Sequence, residues 1–241
     1  MSDLLIQCRG LCKSYGRKNA LQGVDLQVDR GRIVGLLGPN GSGKTTLIKI
    51  FCGLLQPTSG EVLIDGQPIG VHSKSVISYL PDRMYFGDWM AATDLFDLFH
   101  DFYADFDRQK AMAMCASLGV EPRDKMKTMS KGTKEKVQLV LVMARKAQLY
   151  LLDEPIAGVD PAARDFILST ILTNYNEDGT VLISTHLISD IERVLDEAIF
   201  LKDGKVILHN SVDNIRETQG KSVDALFREM FRAQTLEGGN F

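Results

Sequence analysis

The chain has 241 residues, with 28 Lys and Arg against 31 Asp and Glu, a formal net charge of −3. That balance argues against the clustered basic surface of a broad nucleic-acid footprint, and no nucleic-acid partner is expected. A hydrophobic share of 44% beside 24% charged residues is ordinary for a globular protein, long enough for one large α/β domain over 1–241 with a filled core.

Met1-Ser2-Asp3 shows no basic or apolar leader, so no signal peptide is expected. The most apolar run, Val137 to Ala144, is far too short to span a bilayer, and a membrane role would come through a partner. Cys8, Cys12, Cys52 and Cys115 lack the spacing of a metal site and read as reduced structural thiols.

In chain order, alternating apolar positions through Leu4, Ile6 and Cys8, then Leu21, Val24, Leu26 and Val28, predict strands. Ile33 to Leu37 is a continuous apolar run of the kind buried in a parallel sheet. A Gly-rich break follows, then a helical pattern from Lys44 to Leu54. Asp65-Gly66 separates Glu61–Ile64 from a second short strand, a hairpin signal. From about Tyr85 to Leu118 the chain reads as helix closed by Gly119, and a second helix runs from Met129 to about Lys146. Two buried-type strands, Leu149–Leu152 and Val181–Ser184, flank a helix from Pro161 to about Tyr175, the logic of a βαβ unit. A hairpin at Asp203-Gly204 precedes a helical tail (about 211–241) that includes Val223–Phe231, with Glu237 to Asn240 expected to be disordered.

Gly38-Pro39-Asn40-Gly41-Ser42-Gly43-Lys44-Thr45 fits the G-x-x-x-x-G-K-[ST] phosphate loop. Its glycines let consecutive N–H groups point inward at phosphate oxygens, and the helix opening at Lys44 adds its positive end. Lys44 supplies a point charge for the phosphates, the Thr45 hydroxyl suits Mg²⁺, and Thr46 completes the nucleotide-binding set. Leu149-Tyr150-Leu151-Leu152-Asp153-Glu154 is an apolar strand ending in two carboxylates at the sheet edge where α/β folds bind ligands. Alone, that ending is as readily a solvated loop. Beside a phosphate loop, Asp153 becomes an Mg²⁺ ligand and Glu154 the general base that polarises the attacking water.

With the segments that follow, these motifs resemble the nucleotide-binding subunit of ABC transporters over about residues 3–215. The resemblance implies an ATP-hydrolysing P-loop α/β fold with a mixed central sheet, an antiparallel β subdomain and an inserted helical subdomain at about 83–147. His186, after Ser184-Thr185, stands at the family's switch-histidine position, and Ala157-Gly158-Val159-Asp160 resembles the D-loop between protomers. Tyr15 stands where the family stacks a ring on adenine, although a core or edge-strand tyrosine would look the same. Met129-Ser130-Lys131-Gly132-Thr133 departs from the usual Leu-Ser-Gly-Gly-Gln signature but keeps Ser130 and Gly132, which in the family bind the nucleotide of the opposing subunit. Taken alone it would pass as a helix N-cap. In Tyr79-Leu80-Pro81-Asp82, Asp82 replaces the usual glutamine; a carboxylate there would approach Mg²⁺ through water.

Both departures resemble a bacterial exporter branch that includes bacitracin- and peptide-resistance transporters. The partners that the resemblance implies are a second cassette subunit, forming a homodimer, and an integral membrane permease, at the cytoplasmic face of the membrane. Nine of eighteen aromatics fall between Tyr79 and Phe106, beside the family's permease groove, so some of Tyr85, Phe86, Trp89 and Met90 should be partly exposed. An ABC ATPase serving a cytoplasmic assembly is the alternative. A P-loop kinase or GTPase would not account for Ser130, Gly132, Asp153, Glu154 and His186 together.

Overall fold

The computed structural model describes residues 3–232. Strands β1 (Leu4–Tyr15) and β2 (Lys18–Asp29) form an antiparallel pair, followed by β3 (Ile33–Leu37) and helix α1 (Lys44–Phe51). Next come β4 (Ser59–Ile64), β5 (Gln67–Pro68), α2 (Val71–Val76) and β6 (Ile77–Leu80). Helices α3 (Ala92–Phe102), α4 (Arg108–Leu118) and α5 (Lys131–Met143) lead to β7 (Leu149–Asp153). The remainder is α6 (Pro161–Asn174), β8 (Thr180–Thr185), α7 (Ile188–Ile191), β9 (Glu197–Lys202), β10 (Lys205–Ser211), α8 (Val212–Gln219) and α9 (Val223–Arg232).

Two sheets organise these elements. The first is antiparallel, in the order β2-β1-β4-β5, and the second is mixed, β10-β9-β3-β8-β7-β6, parallel except for its β9–β10 edge. Side chains of the mixed sheet alternate between two cores. Leu36, Leu151, Leu182 and Ile199 pack with α1, α2 and the antiparallel sheet, whereas Leu37, Leu152, Ile183 and Phe200 face helices α3 to α9. Both faces are covered, which is why β3, β7 and β8 read as continuous apolar runs.

The segment expected to form one helix from Tyr85 to Leu118 is divided. Tyr85–Ala91 is not helical, and the chain breaks between Phe102 and Arg108. Asp107 starts α4: its carboxylate accepts from Lys110 N at 2.9 Å, and its own N–H donates to the Ala144 carbonyl at 2.9 Å. Gly119, at φ 65°, closes α4 as expected. Two helices also end short of their expected limits, α1 at Phe51 and α5 at Met143. Beyond α5, Arg145 is buried and pairs with Asp105 at 2.9 Å while donating to the carbonyls of Ser75 and Ile77, so helix gives way to a tie between the helices and β6.

All four cysteines are free thiols; burial pushes Cys8 up to about 12 and Cys115 up to about 11. No helix among the described residues is long and apolar enough to cross a membrane. The expected disorder at Glu237–Asn240 and the end of the helical tail lie outside the described residues.

Candidate active site

The loop after β3 is shaped by its glycines. A Cβ on Gly38 would lie 2.4 Å from the Leu201 carbonyl oxygen, and one on Gly43, where φ is 111°, would lie 2.6 Å from the Ala20 carbonyl. Neighbouring backbone, and at Gly38 also the Ser42 side chain, fills the space where a Cβ would go. Gly43 caps α1 without a side-chain acceptor, so the first-turn N–H groups keep their capacity to bind an anion. Ser42 Oγ is buried and has no hydrogen-bond partner among the described residues.

Lys44 is nearly buried, at 5% exposed, and folds back under the loop. Its Nζ donates to the Gly38 carbonyl at 2.7 Å and the Pro39 carbonyl at 3.3 Å, and lies 3.2 Å from Glu154 Oε1. The other Glu154 oxygen, Oε2, lies 3.0 Å from His186 Nδ1. A continuous chain of contacts therefore runs from Lys44 through Glu154 to His186, joining residues 142 positions apart (186 − 44). Glu154 adopts φ +52°, an uncommon conformation for a side-chain-bearing residue, and its N–H donates to the Ser184 carbonyl at 3.0 Å.

Asp153 is wholly buried at the end of β7. Its Oδ1 accepts from Ser184 Oγ at 2.6 Å and Thr45 Oγ1 at 3.2 Å, while Oδ2 has no partner among the described residues. Burial pushes the Asp153 carboxyl above its ordinary range, partly offset by the two hydroxyls, with Asp82 and Glu154 adding repulsion. A buried carboxylate with one open oxygen beside a threonine hydroxyl is a hard-oxygen donor set that suits Mg²⁺. The orphaned Ser42 and Asp153 oxygens and the glycine-shaped loop thus fit Mg-nucleotide. Sequence reasoning missed Ser184, which holds both Asp153 and Glu154, and the buried Tyr79 hydroxyl, which has no partner among the described residues. Their only sequence signal was position at the ends of strands neighbouring β7.

The other expected residues make no described hydrogen bond or ion pair with Glu154 or His186. Pro39 and Asn40 are exposed on the loop, and Thr46 is half-buried in α1. Tyr15 is 47% exposed at the end of β1, with Lys13 Nζ 5.3 Å from its ring centre. Asp82 is exposed past β6; its ion pair is with Arg83, at 3.8 Å. Ser130 caps α5, accepting from Thr133 N at 3.1 Å, and Gly132 is exposed with open space around its Cα. Asp160 caps α6 by accepting from Ala163 N at 3.1 Å. Tyr85 and Trp89 are 61% and 71% exposed and Phe86 and Met90 half-buried, so none of the four rings and chains expected to show at the surface is fully covered.

A family model described as ABC transporter matches residues 21–157, more than half of the chain. The chain belongs to the ABC transporter family. It is an ATP-binding subunit of that family and a P-loop ATPase. Among ABC relatives, the ATP-binding protein YtrB of Bacillus subtilis is 33% identical over 88% of this chain and 74% of its own length. SkfE of the same organism, a SkfA peptide export ATP-binding protein, is 29% identical over 84% and 87%. An ABC transporter ATP-binding protein of Nostoc, all4389, is 30% identical over 83% of this chain, which spans 62% of that relative's length. A solved ATP-binding subunit of an ABC transporter superposes with TM-score 0.81 and 28% identity over 94% of this chain and 99% of that one. The fold is shared with the dimeric ABC cassette MJ0796, at TM-score 0.76 and 24% identity over 86% and 98%.

Proposed function

We propose that this ATPase powers export through a separate integral membrane permease, acting as two copies that clamp ATP between them at the cytoplasmic face of the membrane. The observation that carries the ATPase half of this reading is the Lys44–Glu154–His186 chain beneath the phosphate loop. A triphosphate offers several charged oxygens against the single carboxylate of Glu154 and the neutral Gly38 and Pro39 carbonyls, so it draws Lys44 away from Glu154. Glu154, still held by His186, is then the base that takes a proton from water, and His186 steadies that carboxylate and the γ-phosphate. Thr45 and Asp153 would hold Mg²⁺, with Asp82 approaching it through water; when bound, the ion neutralises charge developing on the phosphates. Tyr15 offers its exposed ring to adenine.

The two-copy reading is supported by the outward display of Ser130 and Gly132 at the start of α5, with no described contact to the Lys44 loop. A serine hydroxyl and open N–H groups at a helix start suit the phosphate held by an opposing copy. We read about 83–147 as the inserted helical subdomain and its exposed Tyr85 and Trp89 as permease-facing. Export is supported by similarity to the subunit named for peptide export.

Two measurements test this. Purified protein should turn over ATP with a Mg²⁺ requirement, and Glu154→Gln should lose about a hundredfold or more in kcat while still binding ATP. Affinity capture from native membranes should retain an integral membrane protein. Unchanged turnover in Glu154→Gln removes that residue from the chemistry, and capture of soluble assemblies alone contradicts the permease.

A further inference from the structure

Glu154 and His186 belong to two different loops, one leaving β7 and one leaving β8, yet their side chains meet at 3.0 Å. Both loops are tied at their far ends by one residue. Val159, near the end of the first loop, accepts at its carbonyl from Arg164 Nε at 2.9 Å. Asp190, on α7 just beyond His186, accepts at Oδ2 from Arg164 Nη1 at 2.9 Å. Arg164 itself is anchored in the first turn of α6, where its N–H donates to the Asp160 carbonyl at 3.1 Å.

We propose that Arg164 is a positioning residue for hydrolysis, clamping the Val159 carbonyl and the Asp190 carboxylate so that the loops bearing Glu154 and His186 keep a fixed separation. This role rests on the assignment of Glu154 and His186 to the chemistry. A planar guanidinium fork suits the task because its N–H groups point in set directions, one to each loop. Its pair with Asp190 is largely shielded, with side chains 25% and 29% exposed. A second ion pair, Arg193–Asp165 at 2.5 Å, links the same region but is 65% and 70% exposed, and neither side chain has a described bond to either loop. Nature thus supplies a neighbouring control: an exposed pair of that kind contributes little.

The test uses the purified full chain, with steady-state ATP turnover and Mg-ATP binding measured separately. Arg164→Ala should lower kcat about tenfold through misplacement of the reacting groups, with the Kd for Mg-ATP within about threefold of wild type. Asp190→Ala should behave alike, Arg193→Ala should stay within about twofold, and Arg164→Lys should recover part of kcat. In a His186→Ala background, Arg164→Ala should cost nothing further, because the contact it positions is already gone. Losses that multiply in the double variant, or a kcat that Arg164→Ala leaves unchanged, overturn the proposal. Should Arg164→Ala not fold, Arg164→Lys carries the test: a several-fold lower kcat with unchanged Kd supports the clamp, and full activity overturns it. Wild-type protein without turnover sinks the hydrolysis reading and takes the clamp with it, whereas active wild type with an indifferent Arg164 sinks only the clamp.

Discussion

Lys44 Nζ stands 3.2 Å from Glu154 Oε1, both side chains largely buried, with the lysine also capping two carbonyls of its own loop. In the proposed reaction, the cation that binds phosphate and the carboxylate that activates water therefore face each other across a single contact. Lys44→Ala should weaken Mg-ATP binding about ten- to a hundredfold, the value of a charge-assisted hydrogen bond, as read by titration calorimetry. Binding left unchanged would place the triphosphate elsewhere.

Asp153 links stability to function with opposite signs. Burial raises its carboxyl above the unfolded value. Between those two values the folded chain keeps a proton that the unfolded chain has released, so this group's contribution to stability falls as pH rises through that window and stays low at neutral pH. Asp153→Asn should therefore raise the melting temperature of the protein without nucleotide at pH 7.5 by about 2–4 °C, as about 1 kcal/mol would in a chain of this size. The gain should fade below about pH 4, where the unfolded carboxyl is itself protonated, and Mg²⁺-dependent turnover should be lost. A lower melting temperature at pH 7.5 would contradict the burial cost.

The loop glycines should separate backbone strain from crowding. Gly41, at φ 83°, has open space where a Cβ would go, so Gly41→Ala should cost about 1–2 kcal/mol of left-handed strain alone. Gly43→Ala meets the same kind of strain and a backbone oxygen at 2.6 Å, adding about 1–3 kcal/mol in urea denaturation. Equal losses at the two sites would show that the pressing backbone yields.

Trp89 is 71% exposed, so Trp89→Ser should change stability by under about 0.5 kcal/mol and leave the subunit's own ATP turnover intact. Recovery of the permease in membrane capture should drop. Undiminished recovery would move the docking surface elsewhere.

What the sequence disclosed follows from which signals are local. The phosphate loop, the apolar runs of β3, β7 and β8 and the Asp153-Glu154 pair are contiguous, and each carries its own mechanism. The break inside 85–118 was hidden because the segment also carries Asp94, Asp97, Asp101 and Asp105, and nothing local marks Asp107 as the residue that caps α4. Ser184 was read as one more residue of a buried strand. Its role depends on the register of β8 against β7, where it pairs opposite Asp153. Arg164 is likewise silent in sequence, since Val159 lies five residues away and Asp190 twenty-six.

Sedimentation of Glu154→Gln with and without Mg-ATP bears most directly on the shared nucleotide. Without nucleotide the variant should run near its 26.7 kDa chain mass, and with Mg-ATP at about twice that, reverting when Ser130 is replaced by a bulky residue. A species that stays at the single-chain mass while saturated with Mg-ATP would contradict the account.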